Sequence, residues 1–280
     1  MLSKLTWQAG VWSSTGIRMI DAVHVFTVVS IFPELIDAFS TIGIVRRARD
    51  RGHVVVNTIN PRSFSADGKG KIDNAPYGGG PGMVMTVPEL RTAIETARQY
   101  GAGGSTVVYL SPQGRPIDQQ IVAELTSIEH LILVAGRYEG IDERVIERDI
   151  DMELSLGDFV ISGGEVAAMA VIDAVVRLLP GSLGSDLSAQ SDSFADGLLE
   201  HAQYTRPENV DGQVVPAVLL SGNHAEIQRW RRKQALGRTW QKRPDLLKDV
   251  GFSRLDRELL EEFQAEFHAI NDGKNENGHD

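Results

Sequence analysis

Short runs of β-branched and apolar residues recur along the chain with helical patterns between them, and this alternation restricts the possible folds more than any other feature. Val25–Phe32, Val54–Ile59, Thr106–Leu110 and Leu131–Ala135 read as buried strands, with Asp158–Ile161 as a fifth. Helical patterns lie between them at Glu34–Arg49, Pro88–Tyr100, Asp118–Ser127 and Ile141–Ile150. In the third, Ile121, Val122 and Leu125 share a face; in the fourth, Ile141/Val145 and Ile146/Ile150 are spaced four apart. Strands alternating with helices imply an α/β chain whose largely parallel sheet is covered on both faces.

Glu165–Leu179 is apolar almost all round, as expected of a buried helix or one at a subunit interface. Its polar exceptions, Asp173 and Arg177, stand at i and i+4 and can pair, a sufficient structural account of Arg177; Pro180 then stops the helix. Residues 181–193 turn to Gly, Ser and Asp, which marks a domain boundary. Beyond it, Asn223 with Glu226 resembles a helix cap, ahead of Ile227–Leu236 with its Arg229, Arg231, Arg232 and Lys233. A last amphipathic helix places Leu255, Leu259, Phe263 and Phe267 four apart. The expected division is a poorly ordered extension over 1–22 (with Met19 as an alternative start), an α/β domain over 23–182, a linker over 183–200, a helical domain over 201–270 and a disordered tail over 271–280.

Composition excludes several classes. No cysteine is present, so disulfides and thiolate metal sites are impossible, as fits a reducing compartment. No apolar run approaches the roughly 18–20 residues of a membrane span, and residues 1–21 lack the basic and apolar regions of a signal peptide. A cytoplasmic protein without membrane partners is expected. The net charge of −10 argues against a generally basic coat, although a local basic segment still suffices to bind phosphates. The seven histidines show no metal-ligand spacing.

The glycines carry the first functional signal. Tyr77–Met83 (YGGGPGM) cannot be a regular element; its backbone allows close approach to a ligand, and an ordinary mobile loop is the plain alternative. Neither a Walker loop nor a dinucleotide fingerprint is present. The strand Thr106–Leu110 runs into Ser111–Gly114 (SPQG), and Leu131–Ala135 runs into Gly136–Gly140 (GRYEG). A third turn, Gly157–Glu165 (GDFVISGGE), precedes the apolar helix. Ligands of open α/β sheets sit beyond the carboxyl ends of strands, so three such turns point to a pocket. Glu139 and Glu165 each read two ways, as ligand contacts or as acids favourable to the start of a following helix.

Read together, these segments resemble the bacterial tRNA (guanine-N1)-methyltransferase family. The resemblance spans roughly residues 24–265 and rests on FPE (Phe32–Glu34), YGGGPGM, YLSPQG (Tyr109–Gly114), LVAGRYEGIDERV (Leu133–Val145), GDFVISGGE, DSFADGLLE (Asp192–Glu200), YTRPE (Tyr204–Glu208) and LLSGNHAEIQRWR (Leu219–Arg231). It implies a SPOUT-like, trefoil-knotted α/β fold, an obligate homodimer with each site completed by both subunits, and S-adenosylmethionine as cofactor. The implied cofactor contacts are Tyr109, Leu110, Ser111 and Pro112, then Gly136, Tyr138 and Glu139, then Leu156, Gly157, Asp158, Phe159, Val160 and Ile161 with Gly163 and Gly164. Ala167 stands where the family usually has proline.

The resemblance also implies the chemistry: methylation of N1 of guanine 37, beside the anticodon, with Asp192 as general base and Arg177 stabilising charge at O6. The base then lies on the linker, which is expected to order when RNA binds. The implied tRNA contacts are Gly80, Pro81 and Gly82, Ser193, and Arg229, Arg231 and Arg232, with Arg238, Lys242 and Arg243 nearby. Trp230 and Trp240 are expected to pack the C-terminal domain. Mg2+ is compatible with the deprotonation, although no ligand cluster announces it. Two alternatives stay open here: another knotted RNA methyltransferase, and a non-catalytic RNA-binding protein with the same fold.

Overall fold

The computed structural model describes residues 23–101, 103–183, 192–248 and 250–276. The extension expected over 1–22 and the centre of the linker, 184–191, lie outside the described residues. In chain order the first unit comprises β1 (His24–Val29), α1 (Pro33–Ser40), α2 (Gly43–Asp50), β2 (Val54–Ile59), β3 (Asp73–Asn74), β4 (Val84–Met85), α3 (Val87–Arg98), β5 (Thr106–Pro116), α4 (Gln119–Leu125), β6 (His130–Ala135), α5 (Glu143–Asp149), β7 (Met152–Ser155) and α6 (Glu165–Leu178). Five strands form one parallel sheet in the order β2-β1-β6-β5-β7.

The two-residue period of the strands divides their side chains between two cores. Phe26, Val28, Val108, Leu110, Leu131 and Leu133 pack with Ile36 of α1, Val45 of α2, Ile121 of α4 and Ile172 of α6. The alternate residues Val29, Val107, Tyr109, Ile132 and Val134 join Leu90 and Ile94 of α3 and Val145 of α5. Each such side chain stabilises the fold by about 1.5–3 kcal/mol. β6 lies at the centre and is buried along its whole length.

Several expectations need correction. The fifth strand is Met152–Ser155, not Asp158–Ile161. Gly157, at φ 148°, turns the chain out of the sheet, and Val160 is 85% exposed. The pattern over Glu34–Arg49 is two helices, because Gly43, at the start of the second, takes a left-handed φ of 62°. β5 continues beyond Leu110 to Pro116, and both Leu110 and Arg115 pair with Leu154, so Ser111–Gly114 bulges out of the strand.

The second unit contains β8 (Asn209–Val210), β9 (Gln213–Val214), α7 (Ala217–Leu220), α8 (His224–Lys242) and α9 (Arg254–Glu276). The Asn223 cap forms as expected, its Oδ1 accepting from the Glu226 N–H at 3.4 Å. Leu236 and Leu259 are buried together with Leu198, and Thr239 Oγ1 accepts from Leu199 N at 2.9 Å. Residues 192–200, read as linker, therefore anchor this domain. Gly237 lets the helices meet, since a Cβ there would lie 2.2 Å from the Phe263 ring. α9 runs on to Glu276, past the expected end at residue 270; polar composition does not stop a helix, and Gly273 alone costs about 1 kcal/mol. No described helix is long and apolar enough to cross a membrane.

At the amino ends of the strands, opposite the glycine turns, His24 and His130 are buried. Thr27 Oγ1 meets His130 Nε2 at 2.9 Å, while His24 Nε2 and His130 Nδ1 have no partner. Burial, followed by the nearby His130, lowers the His24 pKa from 6.5 to about 4. The unfolded chain takes up this proton first as pH falls, so stability declines from about pH 6.5 to about pH 4, by about 3 kcal/mol from His24. Urea denaturation at pH 7 and 4.5 checks this: His24→Leu flattens the decline, and an identical decline in that variant would contradict it.

A glycine-lined candidate active site

A cavity of about 220 Å³ opens beyond the carboxyl ends of β5, β6 and β7. The Ser111–Gly114 bulge, the Gly136–Gly140 turn and the Leu156–Gly164 turn form its walls. Every expected cofactor residue lines it except Asp158. Gln113, Arg137 and Ser162, which the sequence did not single out, line it too.

The glycines are required by close approach. A Cβ on Gly136 would lie 2.9 Å from the Tyr109 ring, and one on Gly163 would lie 2.0 Å from Arg137 Nε. One on Gly164 would lie 2.6 Å from Ala135 Cα, in backbone that cannot yield as a side chain does. Tyr138 holds a left-handed φ of 61°, and its hydroxyl accepts from Arg62 Nη2 at 3.2 Å. Such strain persists only where the surroundings enforce it, and it clusters at functional sites. Burial raises the Tyr109 pKa, keeping that hydroxyl neutral beneath the turn.

Glu165 holds this architecture together. It is fully buried at the first turn of α6. Its Oε1 accepts from Ser30 Oγ at 2.7 Å and its Oε2 from Arg137 Nε at 2.8 Å. Arg137 also donates to the Ser162 carbonyl at 3.1 Å and lies over the Phe32 ring. One carboxylate thus joins the end of β1 to the second and third glycine turns. Neither reading of Glu165 from sequence, ligand contact or helix-dipole acid, captures that role. The YGGGPGM loop packs on the same turn from outside: Glu139 N donates to Met83 O at 2.9 Å, and Gly82 leaves room for the Glu139 side chain. Gly80, Pro81 and Gly82 do not line the cavity.

Gly164→Val is expected to separate α6 from the end of β6 and to remove measurable binding of S-adenosylmethionine, the cofactor that the sequence resemblance implies. Calorimetric titration alongside circular dichroism checks it; wild-type affinity in a folded variant would show that close packing there is dispensable.

Arg177 and Asp192 come together, Arg177 Nη2 donating to Asp192 Oδ2, with both side chains partly exposed. Arg177 thus pairs with Asp192, where the helical spacing alone offered Asp173. The pair lies at the other end of α6, twelve residues beyond Glu165, which is roughly 18 Å along a helix. Ser193 is next to it, its Oγ accepting from Glu200 N at 2.9 Å. The basic residues of α8 are less free than their sequence suggests. Arg229 pairs with Glu262, Lys233 with Glu266, and Arg232 with both Asp196 and Asp256. Arg243 pairs with Asp245. Among the described residues no three His, Asp or Glu side chains form a metal-binding group.

Comparison with known proteins agrees with this arrangement. Residues 24–249 match the family model described as tRNA (Guanine-1)-methyltransferase TrmD. A tRNA (guanine-N(1)-)-methyltransferase of Proteus mirabilis (strain HI4320) is 56% identical over 239 residues, covering 85% of this chain and 96% of that protein. The protein of the same description from Nitrosospira multiformis (strain ATCC 25196 / NCIMB 11849 / C 71) is 52% identical over 251 residues, covering 87% and 98%. The crystal structure of tRNA (m1G37) methyltransferase from Aquifex aeolicus superposes with a TM-score of 0.66 at 40% identity, over 81% of this chain and 95% of that one. With the parallel sheet and these matches over most of its length, the chain belongs to the tRNA (Guanine-1)-methyltransferase TrmD family.

Proposed function

We propose that this chain, as a cytoplasmic homodimer, transfers the methyl group of S-adenosylmethionine to N1 of guanine 37 in tRNA. The observation that carries the reading is the Arg177–Asp192 pair, a cation and a carboxylate both open to a substrate. The cavity suits the cofactor: Gly136, Gly163 and Gly164 let the turns pack closely into a backbone-lined cradle, between the apolar walls of Leu110, Leu156 and Ile161. When bound there, S-adenosylmethionine supplies an already activated methyl group.

Guanine N1 carries a proton at neutral pH and is a poor nucleophile until that proton leaves. Asp192 takes it, and Arg177 turns to O6, where negative charge accumulates. Substrate therefore enters by replacing the bond between these two side chains, O6 taking the place of Asp192 at Arg177 and the N1–H that of Arg177 at Asp192. The distance along α6 argues for the homodimer, with the cavity of one copy facing the Arg177–Asp192 pair of the other. Phe159 and Val160 at the cavity mouth and Val166 on α6 are exposed apolar groups that a second copy would cover.

Methyl transfer to two tRNA transcripts differing only in guanine or adenine at position 37 tests the reading. Methylation of the first alone, mapped by mass spectrometry to N1, is expected; equal transfer to both, or transfer to a ribose, would overturn it.

A further inference from the structure

The second unit contains a cavity of about 530 Å³, remote in sequence from the glycine turns and unused by the chemistry above. Its size falls within the roughly 300–1,000 Å³ of small-ligand sites. Trp230 lines it between His201 and Tyr204, with ring centroids 6.3 Å away in each case and the rings tilted rather than stacked. Trp240, by contrast, packs edge-on against Phe267, as expected of a core residue.

The cations around this cavity differ from their neighbours. Arg229, Arg232 and Lys233 of α8 are all held by acids. Arg231, between them in sequence, and Arg206 line the cavity and make no ion pair among the described residues. Arg231 Nε is buried without a hydrogen-bond partner. A buried donor is costly to leave without an acceptor, so this guanidinium is placed to meet one on a ligand. Between Leu198 and Leu236 no residue is buried, which leaves this side of the domain uncovered.

An aromatic ring set beside unpaired arginines is the chemistry that recognises a nucleotide of single-stranded RNA: a base rests on the aromatic ring and the phosphates meet the guanidinium groups. We infer that this cavity binds one unstacked nucleotide of the tRNA, distinct from the guanine that is methylated. The inference rests on the tRNA-methyltransferase reading and gives Trp230 a stacking role in place of the packing role expected from sequence.

The full-length protein tests it through tRNA dissociation constants measured by fluorescence anisotropy at several KCl concentrations. Trp230→Leu is expected to weaken binding roughly 5- to 100-fold, the range for loss of a base–aromatic stack. Arg231→Ala and Arg206→Ala are each expected to weaken it several-fold and to reduce the log–log salt slope by about one. Calorimetry should return the wild-type S-adenosylmethionine affinity for all three. Arg206 is exposed, so its variant answers the question even if Trp230→Leu fails to fold. Wild-type tRNA affinity and slope in the arginine variants would overturn the inference. So would a shift in sedimentation from dimer to monomer with tRNA affinity unchanged, which would make the cavity a subunit contact. A wild-type protein that binds cofactor but no tRNA would instead refute the reading on which the inference rests.

Discussion

Replacing Asp192 by alanine is expected to lower methyl transfer by about 10²- to 10⁴-fold, the usual contribution of a positioned general base, while cofactor affinity stays at the wild-type value. The separation follows from geometry. Asp192 contacts Arg177 at the far end of α6 and lines no part of the glycine cavity. Its loss leaves guanine N1 protonated beside an intact cofactor site. Asp192→Asn keeps the shape but accepts no proton, so it should be nearly as impaired. Single-turnover transfer with enzyme in excess of tRNA, paired with calorimetric titration of S-adenosylmethionine, distinguishes the outcomes. Transfer at the wild-type rate would remove Asp192 from the mechanism; loss of cofactor binding would make its role structural.

The largest effect on stability is expected at Glu165. Its carboxylate is fully buried and accepts from Ser30 and Arg137. Glu165→Ala leaves the Arg137 guanidinium, itself only 20% exposed, without its countercharge. Removing one partner of a buried ion pair typically costs about 3–5 kcal/mol. Urea denaturation should show that loss, and cofactor affinity should fall with it, because Arg137 also holds the Ser162 carbonyl at the cavity wall. The paired change Glu165→Gln with Arg137→Gln leaves no net charge buried and is expected to recover part of the stability. Additive losses in the double variant would show that the two side chains act independently.

Much of this was readable in the sequence because it is locally encoded. Four strands announce themselves as apolar runs, and the glycine turns after two of them, Thr106–Leu110 and Leu131–Ala135, line the cavity. The fifth strand did not, since Met152–Ser155 is short and includes Glu153, whereas Phe159, Val160 and Ile161 look like a strand yet sit in a turn beyond Gly157. The Glu165 network was invisible for a different reason: Ser30 and Glu165 are 135 residues apart, and no local pattern records a contact made by folding. Arg137 lay within a quoted motif, but its value depends on that same carboxylate. The α8 cations illustrate a third limit. Glu262 and Glu266 repeat the four-residue spacing of Arg229 and Lys233, so the facing helices neutralise each other. A basic stripe on one helix is free for phosphate only when no acidic stripe packs beside it.

The central structural claim is that the cofactor cavity of one copy works with the Arg177–Asp192 pair of another. Co-expressing Gly136→Val, which drives the Tyr109 ring toward the cavity and leaves α6 in place, with Asp192→Ala, which removes the base, tests it most directly. Each variant alone should be inactive, and in a mixed dimer one complete site reassembles from the two undamaged halves. Random pairing then restores about a quarter of wild-type transfer. Mixed dimers as inactive as either parent would place the cavity and the base in the same chain and contradict the account.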